Sequence, residues 1–209
     1  MMIALTFDDG PNTTITPQVL DLLEEHHIVA SFFLIAQNIN EKSAASARRA
    51  YAMGCEINNH SVTHQHMDTF TAEQIRREIR ECSDKIIGLT GEAPHFFRPP
   101  YISVSPTLFE TVDLPFISGV GCQDWEPSVT AEQRITMLRE KVRDGDLILL
   151  HDMEGNVNTV EALRVLIPEF KARGFRFGTC SQIFAEAGIT PRRGYLYSNV
   201  YQTVPREDR

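Results

Sequence analysis

Two adjacent carboxylates, Asp8 and Asp9, stand between the apolar run of residues 3–7 and the breaker Gly10-Pro11. A buried strand that ends this way delivers acids to the mouth of a sheet or barrel. Successive side chains of a straight strand point to opposite faces, so both acids reach the mouth only where the chain bends, and for different jobs. Further along, His60-Ser61-Val62-Thr63-His64 sets two imidazoles four residues apart. On a helical turn, positions i and i+4 share a face and can grip one metal ion. Alone, such a pair reads as well as two unrelated histidines on a surface turn. Asp9, as an anionic third donor, favours the metal. Two imidazoles and one carboxylate leave coordination positions open, which marks a catalytic ion rather than a structural one. His66 falls outside that donor set. If Asp9 ligates, Asp8 lies beside the cation and can act as a base.

Arg98 precedes two prolines that stiffen the following turn. It reads as a fixed cation for Asp8, orienting it and holding it ionised; the plainer reading is a surface arginine. His151 ends the apolar run 147–150. That strand aims it at the mouth, as an acid more than as a satisfied core histidine. Asp124 is placed to pair with it and keep it protonated. Trp125 and Leu149 are either core residues or the wall of a small pocket for a methyl group.

The elements that must position these groups follow from periodicity. Apolar, β-rich runs at residues 3–7, 28–36, 55–59, 94–98, 116–121, 147–150 and 175–179 alternate with amphipathic segments. Thr16-Pro17 reads as an N-cap and first helical residue. Thr71-Ala72-Glu73-Gln74 and Thr130-Ala131-Glu132-Gln133 read as capping boxes. Further helices are expected over residues 40–53, 157–173 and 181–187, with a short one opening at Ser105-Pro106. Apolar strands alternating with helices mean parallel strands covered by helices. About seven such units predict an α/β fold, a distorted or incomplete (β/α) barrel with outer helices. Every polar cluster of interest falls at the C-terminal end of its strand, where barrels keep their chemistry. One domain is expected over residues 1–190, and a polar, loosely packed tail over 191–209.

Bulk properties narrow the class. The chain has 209 residues, 42% hydrophobic and 23% charged, with a formal net charge of −8. An acidic surface repels nucleic acids and anionic membranes, and no apolar run approaches the ~18 residues of a membrane span. Cys55, Cys82, Cys122 and Cys180 are scattered, so they read as free thiols. A first strand that starts almost at Met1 leaves no room for a leader, so a native chain is expected in the cytoplasm. An excised module of a secreted enzyme is the alternative. There is no Gly-x-Ser-x-Gly elbow to support a serine esterase.

Five motifs in order, TFDDG at 6–10, HSxxH at 60–64, RPPY at 98–101, DW at 124–125 and LLHD at 149–152, resemble those of the polysaccharide deacetylases. This is the NodB-homology domain, also called carbohydrate esterase family four. The resemblance spans about residues 2–187 and implies the same distorted barrel. It implies Asp8 as catalytic base, and Asp9, His60 and His64 as ligands of one divalent metal, zinc or cobalt. It further implies His151 as general acid, with Arg98 supporting Asp8 and Asp124 supporting His151. The Tyr101 backbone N–H would stabilise an oxyanion, and Trp125 and Leu149 would shape the acetyl pocket. The family often carries an aspartate where this chain has Gly121. The stretch from Phe96 to Asp152 is similar to the acetylxylan-esterase branch, which favours O-deacetylation of xylan or xylo-oligosaccharides. N-deacetylation of chito-oligosaccharide or peptidoglycan is the alternative. The expected partner is an acetylated saccharide, met by a monomer, with no nucleic acid and no membrane.

Overall fold

The computed structural model describes residues 1–202. Among these residues are eight strands and seven α-helices, mostly alternating. The strands are β1 (Met2–Asp8), β2 (Ser31–Leu34), β3 (Glu56–Asn59), β4 (Phe116–Ile117), β5 (Val120–Gly121), β6 (Leu147–His151), β7 (Arg176–Phe177) and β8 (Leu196–Tyr197). The helices are α1 (Ile15–Glu25), α2 (Ala44–Ala52), α3 (Ala72–Thr90), α4 (Pro106–Thr111), α5 (Ala131–Lys141), α6 (Val157–Ala172) and α7 (Cys180–Glu186). One parallel sheet has the order β3-β2-β1-β6-β5, with β7 beside the start of β1. Single bridges, Asn59 to Phe97 and Phe97 to Phe116, carry the order on from β3 to the parallel pair β4-β8. This is the expected α/β architecture, strands curling as a distorted, incomplete barrel with helices outside.

β1 and β6 look uniformly apolar in sequence, yet their side chains alternate. Ile3, Leu5 and Phe7 join Ile148 and Leu150 in the large core under the helices. Ala4 and Leu147 belong to a second, inner cluster, and the same parity turns Thr6, Asp8, Leu149 and His151 inward. Register pairs Asp8 with His151 on one side and with Phe33 on the other. The acid and the base candidates therefore emerge at one level by main-chain pairing alone.

Several local expectations are corrected. Residues 94–98 form no strand; Phe97 makes the two single bridges between Pro94 and Pro99. The run 116–121 is broken at Ser118-Gly119 into β4 and β5. A Cβ at Gly119 would lie 2.8 Å from the Leu147 carbonyl oxygen, so only glycine fits there. The helix expected from Thr16 starts at Ile15, and its free N–H groups are met by Asn12. The Asn12 Oδ1 accepts from the backbone N–H of Thr14, Ile15 and Thr16. Both capping boxes are present, and Thr179 with Gln182 makes a third. The four cysteines are free and buried.

The tail expected to be loose is not loose where it is described. β8 pairs with β4 through Phe116–Leu196 and Ile117–Tyr197, and Leu196, Tyr197 and Val200 are buried. A two-residue strand in a polar stretch leaves too little periodicity to be read, and residues 203–209 lie outside the described part. Among the described residues no helix is long and apolar enough to cross a membrane.

Candidate active site

Arg98 is the buried centre of the site. Its side chain is fully enclosed, with the guanidinium 4.1 Å from the Phe33 ring centroid. It donates to Asp8 Oδ1 at 2.5 Å, Thr6 Oγ1 at 2.8 Å, and the carbonyls of Ile117 and Ser118 at 3.2 and 2.5 Å. The break between β4 and β5 turns those two carbonyls towards it. A guanidinium so completely satisfied cannot swing, and it holds one oxygen of Asp8 fixed. The other oxygen, Oδ2, faces His60 Nε2 at 3.6 Å.

Asp9 follows with φ of +75°. That left-handed residue lets two consecutive carboxylates reach the same mouth, which a straight strand forbids. Asn38, in the turn after β2, donates to the Asp9 carbonyl at 2.7 Å and secures the bend. Asp9 Oδ1 lies 3.5 Å from His60 Nε2 and 3.3 Å from His64 Nε2. Burial pushes Asp9 up, but contact with His60 and the charges of His60, His151 and His64 outweigh it and lower the carboxyl to about 2.

The two histidines do not share a helical turn. Residues 60–64 form a bent loop with Ser61 at φ +69° and His64 at φ +56°. The i, i+4 spacing works through these two left-handed residues instead. Glu78 of α3 clamps the loop, accepting from the N–H groups of Val62 and Thr63 at 2.8 and 3.0 Å and from the Thr63 hydroxyl at 3.0 Å. The Arg98 carbonyl accepts from His60 Nδ1 at 2.7 Å, which leaves Nε2 as a bare lone pair facing the carboxylates. Burial, with the charge of His60, pushes His64 down, towards the neutral form. His66 stacks on the Tyr101 ring at 4.1 Å and stays outside this group.

Asp9, His60 and His64 thus present three donor atoms within 4.8 Å of one another. Asp9 Oδ1 is buried and has no hydrogen-bond partner. An orphaned carboxylate oxygen facing two imidazole lone pairs fits a divalent ion of the zinc or cobalt kind.

On the opposite side, Asp124 is fully buried. Its Oδ1 accepts from His151 Nδ1 at 2.8 Å and its Oδ2 from the His151 backbone N–H at 2.7 Å. His151 Nε2 is therefore the nitrogen presented to the mouth. Burial pushes His151 down, but the hydrogen bond and charge of Asp124, with Asp8 and Asp9 nearby, raise it to about 9. A cavity of about 340 Å³ is lined by Asp8, Asp9, His60, His64 and His151, with Tyr101, Ile102, Trp125 and Leu149 as its apolar walls. Tyr101 and Ile102 both have positive φ. Trp125 meets His151 edge-on at 5.6 Å.

All ten residues singled out in the sequence converge here. Missed were Thr6, Asn38, Asp152, Asn156 and Thr159, which touch the site residues from behind, Glu78, which clamps the 60–64 loop, and Arg134, which holds Asn156 and Thr159. Arg134 had a weak signal: it lies four residues before Leu138, and these two are the buried positions of α5. Asp152 was quoted only as part of a motif. It is fully buried against Gly10, accepts from Thr16 Oγ1 at 2.5 Å, and burial raises it to about 7.

A family model described as polysaccharide deacetylase matches residues 1–113. The chain is 46% identical over 200 residues to a bifunctional xylanase/deacetylase of Pseudobutyrivibrio xylanivorans; the match covers 95% of this chain and 33% of that protein, so the chain spans about a third of its length. Its structure is similar to the Xyl-CE4 domain of a multidomain xylanase from the hindgut metagenome of Trinervitermes trinervoides. The TM-score is 0.94 at 41% identity, covering 97% of this chain and 98% of that one. It is also similar to a family 4 acetyl xylan esterase from Clostridium thermocellum in complex with a cobalt ion. There the TM-score is 0.93 at 40% identity, covering 97% and 100%.

Proposed function

The chain belongs to the polysaccharide deacetylase family, and on that premise we propose that it is a metal-dependent hydrolase releasing acetate from acetylated saccharides. Its first substrates are O-acetyl groups on xylan or xylo-oligosaccharides. The observation that carries this reading is the convergence of three pairings on one cavity: Arg98 with Asp8, Asp9 with the two histidines, and Asp124 with His151. The acetylxylan preference is supported by the xylan-linked relatives.

Asp9, His60 and His64 would hold the divalent ion, whose Lewis acidity polarises an acyl oxygen and makes water a stronger nucleophile. Arg98 fixes Asp8 Oδ1, so Asp8 takes the proton of the attacking water on Oδ2. The Tyr101 backbone N–H, set by its positive φ, donates to the developing oxyanion. His151 holds its transferable proton on Nε2 and gives it to the departing sugar oxygen. The products are acetate and a free hydroxyl. Trp125 and Leu149 enclose the acetyl methyl and exclude water.

Every one of these groups comes from residues 1–190 of a single chain, so that stretch is the catalytic domain and a monomer suffices. Residues 191–202 strap its β4 edge. A module exported alongside a xylan-degrading polypeptide is the setting that suits a polymeric substrate.

The test is acetate release measured side by side on acetylated xylo-oligosaccharides and on N-acetylglucosamine oligomers. Chelation should abolish activity, and Zn²⁺ or Co²⁺ should restore it. Release only from N-acetylglucosamine oligomers would replace the xylan reading with N-deacetylation. Activity indifferent to chelation and to Asp8→Asn would overturn the mechanism.

A further inference from the structure

Behind the Asp124–His151 pair lies a second buried cation that the chemistry above does not use. Arg134, on α5, is 1% exposed. Its guanidinium donates to Asn156 Oδ1 at 2.5 Å, Thr159 Oγ1 at 2.8 Å, and the carbonyls of Val129 and Glu126 at 3.0 and 3.3 Å. All four acceptors are neutral. Burying a guanidinium against neutral oxygens is unfavourable compared with a methionine or leucine of similar volume. Its position calls for a role beyond filling space.

The hydrogen bonds have a direction. Thr159 has one hydroxyl proton. Its oxygen accepts from Arg134, so that proton points the other way, to Asp124 Oδ2 at 2.9 Å. Asn156 is oriented likewise. With its oxygen on Arg134, its amide nitrogen donates to the His151 carbonyl at 2.8 Å and faces Asp124 Oδ2 at 3.4 Å. Asp124 Oδ2 thereby gains donors that an isolated threonine or asparagine could turn elsewhere. The carbonyls of Glu126 and Val129 belong to the loop after Trp125, so the same guanidinium pins the loop that carries Asp124 and Trp125.

We propose that Arg134 is a positioning residue for the acid: through Thr159 and Asn156 it orients Asp124, and Asp124 in turn holds the His151 ring with Nε2 towards the substrate. The relay runs from α5 through α6 to the end of β6, and neither Arg134 nor Thr159 touches the cavity. It rests on the reading of His151 as the acid that protonates the leaving sugar oxygen.

Leaving-group dependence separates this role from simple support of the fold. A sugar alkoxide needs a proton to depart, whereas 4-nitrophenolate leaves without one. Thr159→Val keeps the side-chain shape and removes the relay hydroxyl; Arg134→Met removes the cation at similar length. Both should lower kcat on acetylated xylo-oligosaccharide by ~10- to 100-fold, a partial loss of the ~100- to 10,000-fold that general acid catalysis supplies, and leave KM nearly unchanged. The rate on 4-nitrophenyl acetate should fall far less, and Thr159→Ser should restore the xylo-oligosaccharide rate. A second readout needs neither metal nor turnover. In the metal-free protein the ¹H resonance of His151 Nδ1–H, bonded to Asp124, should lie far downfield. It should move upfield in Thr159→Val and stay in Thr159→Ser. Equal losses on both acetates, or an unmoved resonance in Thr159→Val, would overturn the proposal. If the wild type released no acetate from any saccharide, the functional reading would fail, and the resonance would still decide whether Thr159 and Arg134 orient the pair. Should Arg134→Met not fold, Thr159→Val carries the decision.

Discussion

At the scale of single residues, the two aspartates of one dipeptide have opposite surroundings. Asp8 is locked by a buried guanidinium, while Asp9 faces two imidazoles with an oxygen that no donor satisfies. Substitutions should separate them. Asp9→Ala and His64→Ala are expected to weaken Zn²⁺ binding by at least ~100-fold in calorimetric titration, since each removes one of three protein donors. Asp8→Asn should bind Zn²⁺ nearly as wild type yet lose at least ~100-fold in acetate release. Loss of zinc affinity in Asp8→Asn but not in Asp9→Ala would exchange their roles. His151 gives a pH signature. Its folded value of about 9 lies above the ordinary histidine value of about 6.5. The protonated ring therefore stabilises the fold fully below about pH 6.5, and that contribution is lost as pH rises through about 9. Following His151 by NMR in the metal-free protein should show deprotonation near pH 9, and several tenths of a unit or more lower in Asp124→Asn.

At the scale of elements, six of the seven described non-glycine residues with positive φ lie at the strand mouths: Asp9, Ser61, His64, Tyr101, Ile102 and Gln123. Each left-handed residue costs on the order of 1–3 kcal/mol, and such outliers gather where a site dictates side-chain direction. Asn38 holds the bend at Asp9, and Glu78 with the Arg98 carbonyl holds the 60–64 loop. The split between β4 and β5 is of the same kind: continuous pairing is given up so that the Ile117 and Ser118 carbonyls can serve Arg98. Gly119→Ala should destabilise the protein by about 2 kcal/mol or more, because its Cβ would press on the Leu147 carbonyl. Activity should fall further than stability explains, through displacement of Arg98. Denaturant melts paired with kcat at a temperature where the variant is folded would check both parts.

For the whole molecule, the C-terminal segment is the part whose contribution is easiest to misjudge. Leu196 and Tyr197 complete the edge at β4, and Val200 packs in the inner cluster. A chain ending at residue 190 should expose Phe116, Ile117 and Phe184 and melt at least ~8 °C lower, or accumulate as insoluble protein, because several buried apolar side chains are lost together. A truncation that melts like the full chain would return residues 191–202 to the status of a tail. Parallel strands that end at one mouth also explain why distant motifs cooperate: Asp8 and His151 are 143 positions apart in sequence and direct partners in register.

What the sequence determined by itself was the chemistry and its placement at strand ends. Paired acids after an apolar run, two histidines at a fixed spacing and a histidine closing an apolar strand are local patterns, and the βα alternation that aligns them is local too. Both capping boxes were legible because a cap lies within four residues. What only the tertiary structure decided was everything set by contacts between remote segments. The left-handed bends that make the 60–64 loop work without a helix, the broken strand at Ser118-Gly119 and the docking of Leu196 and Tyr197 on β4 all belong to that class. Arg134 shows the boundary most sharply. Its place on a capped helix was readable, but its partners lie on another helix and another loop, and only packing brings them to the back of Asp124.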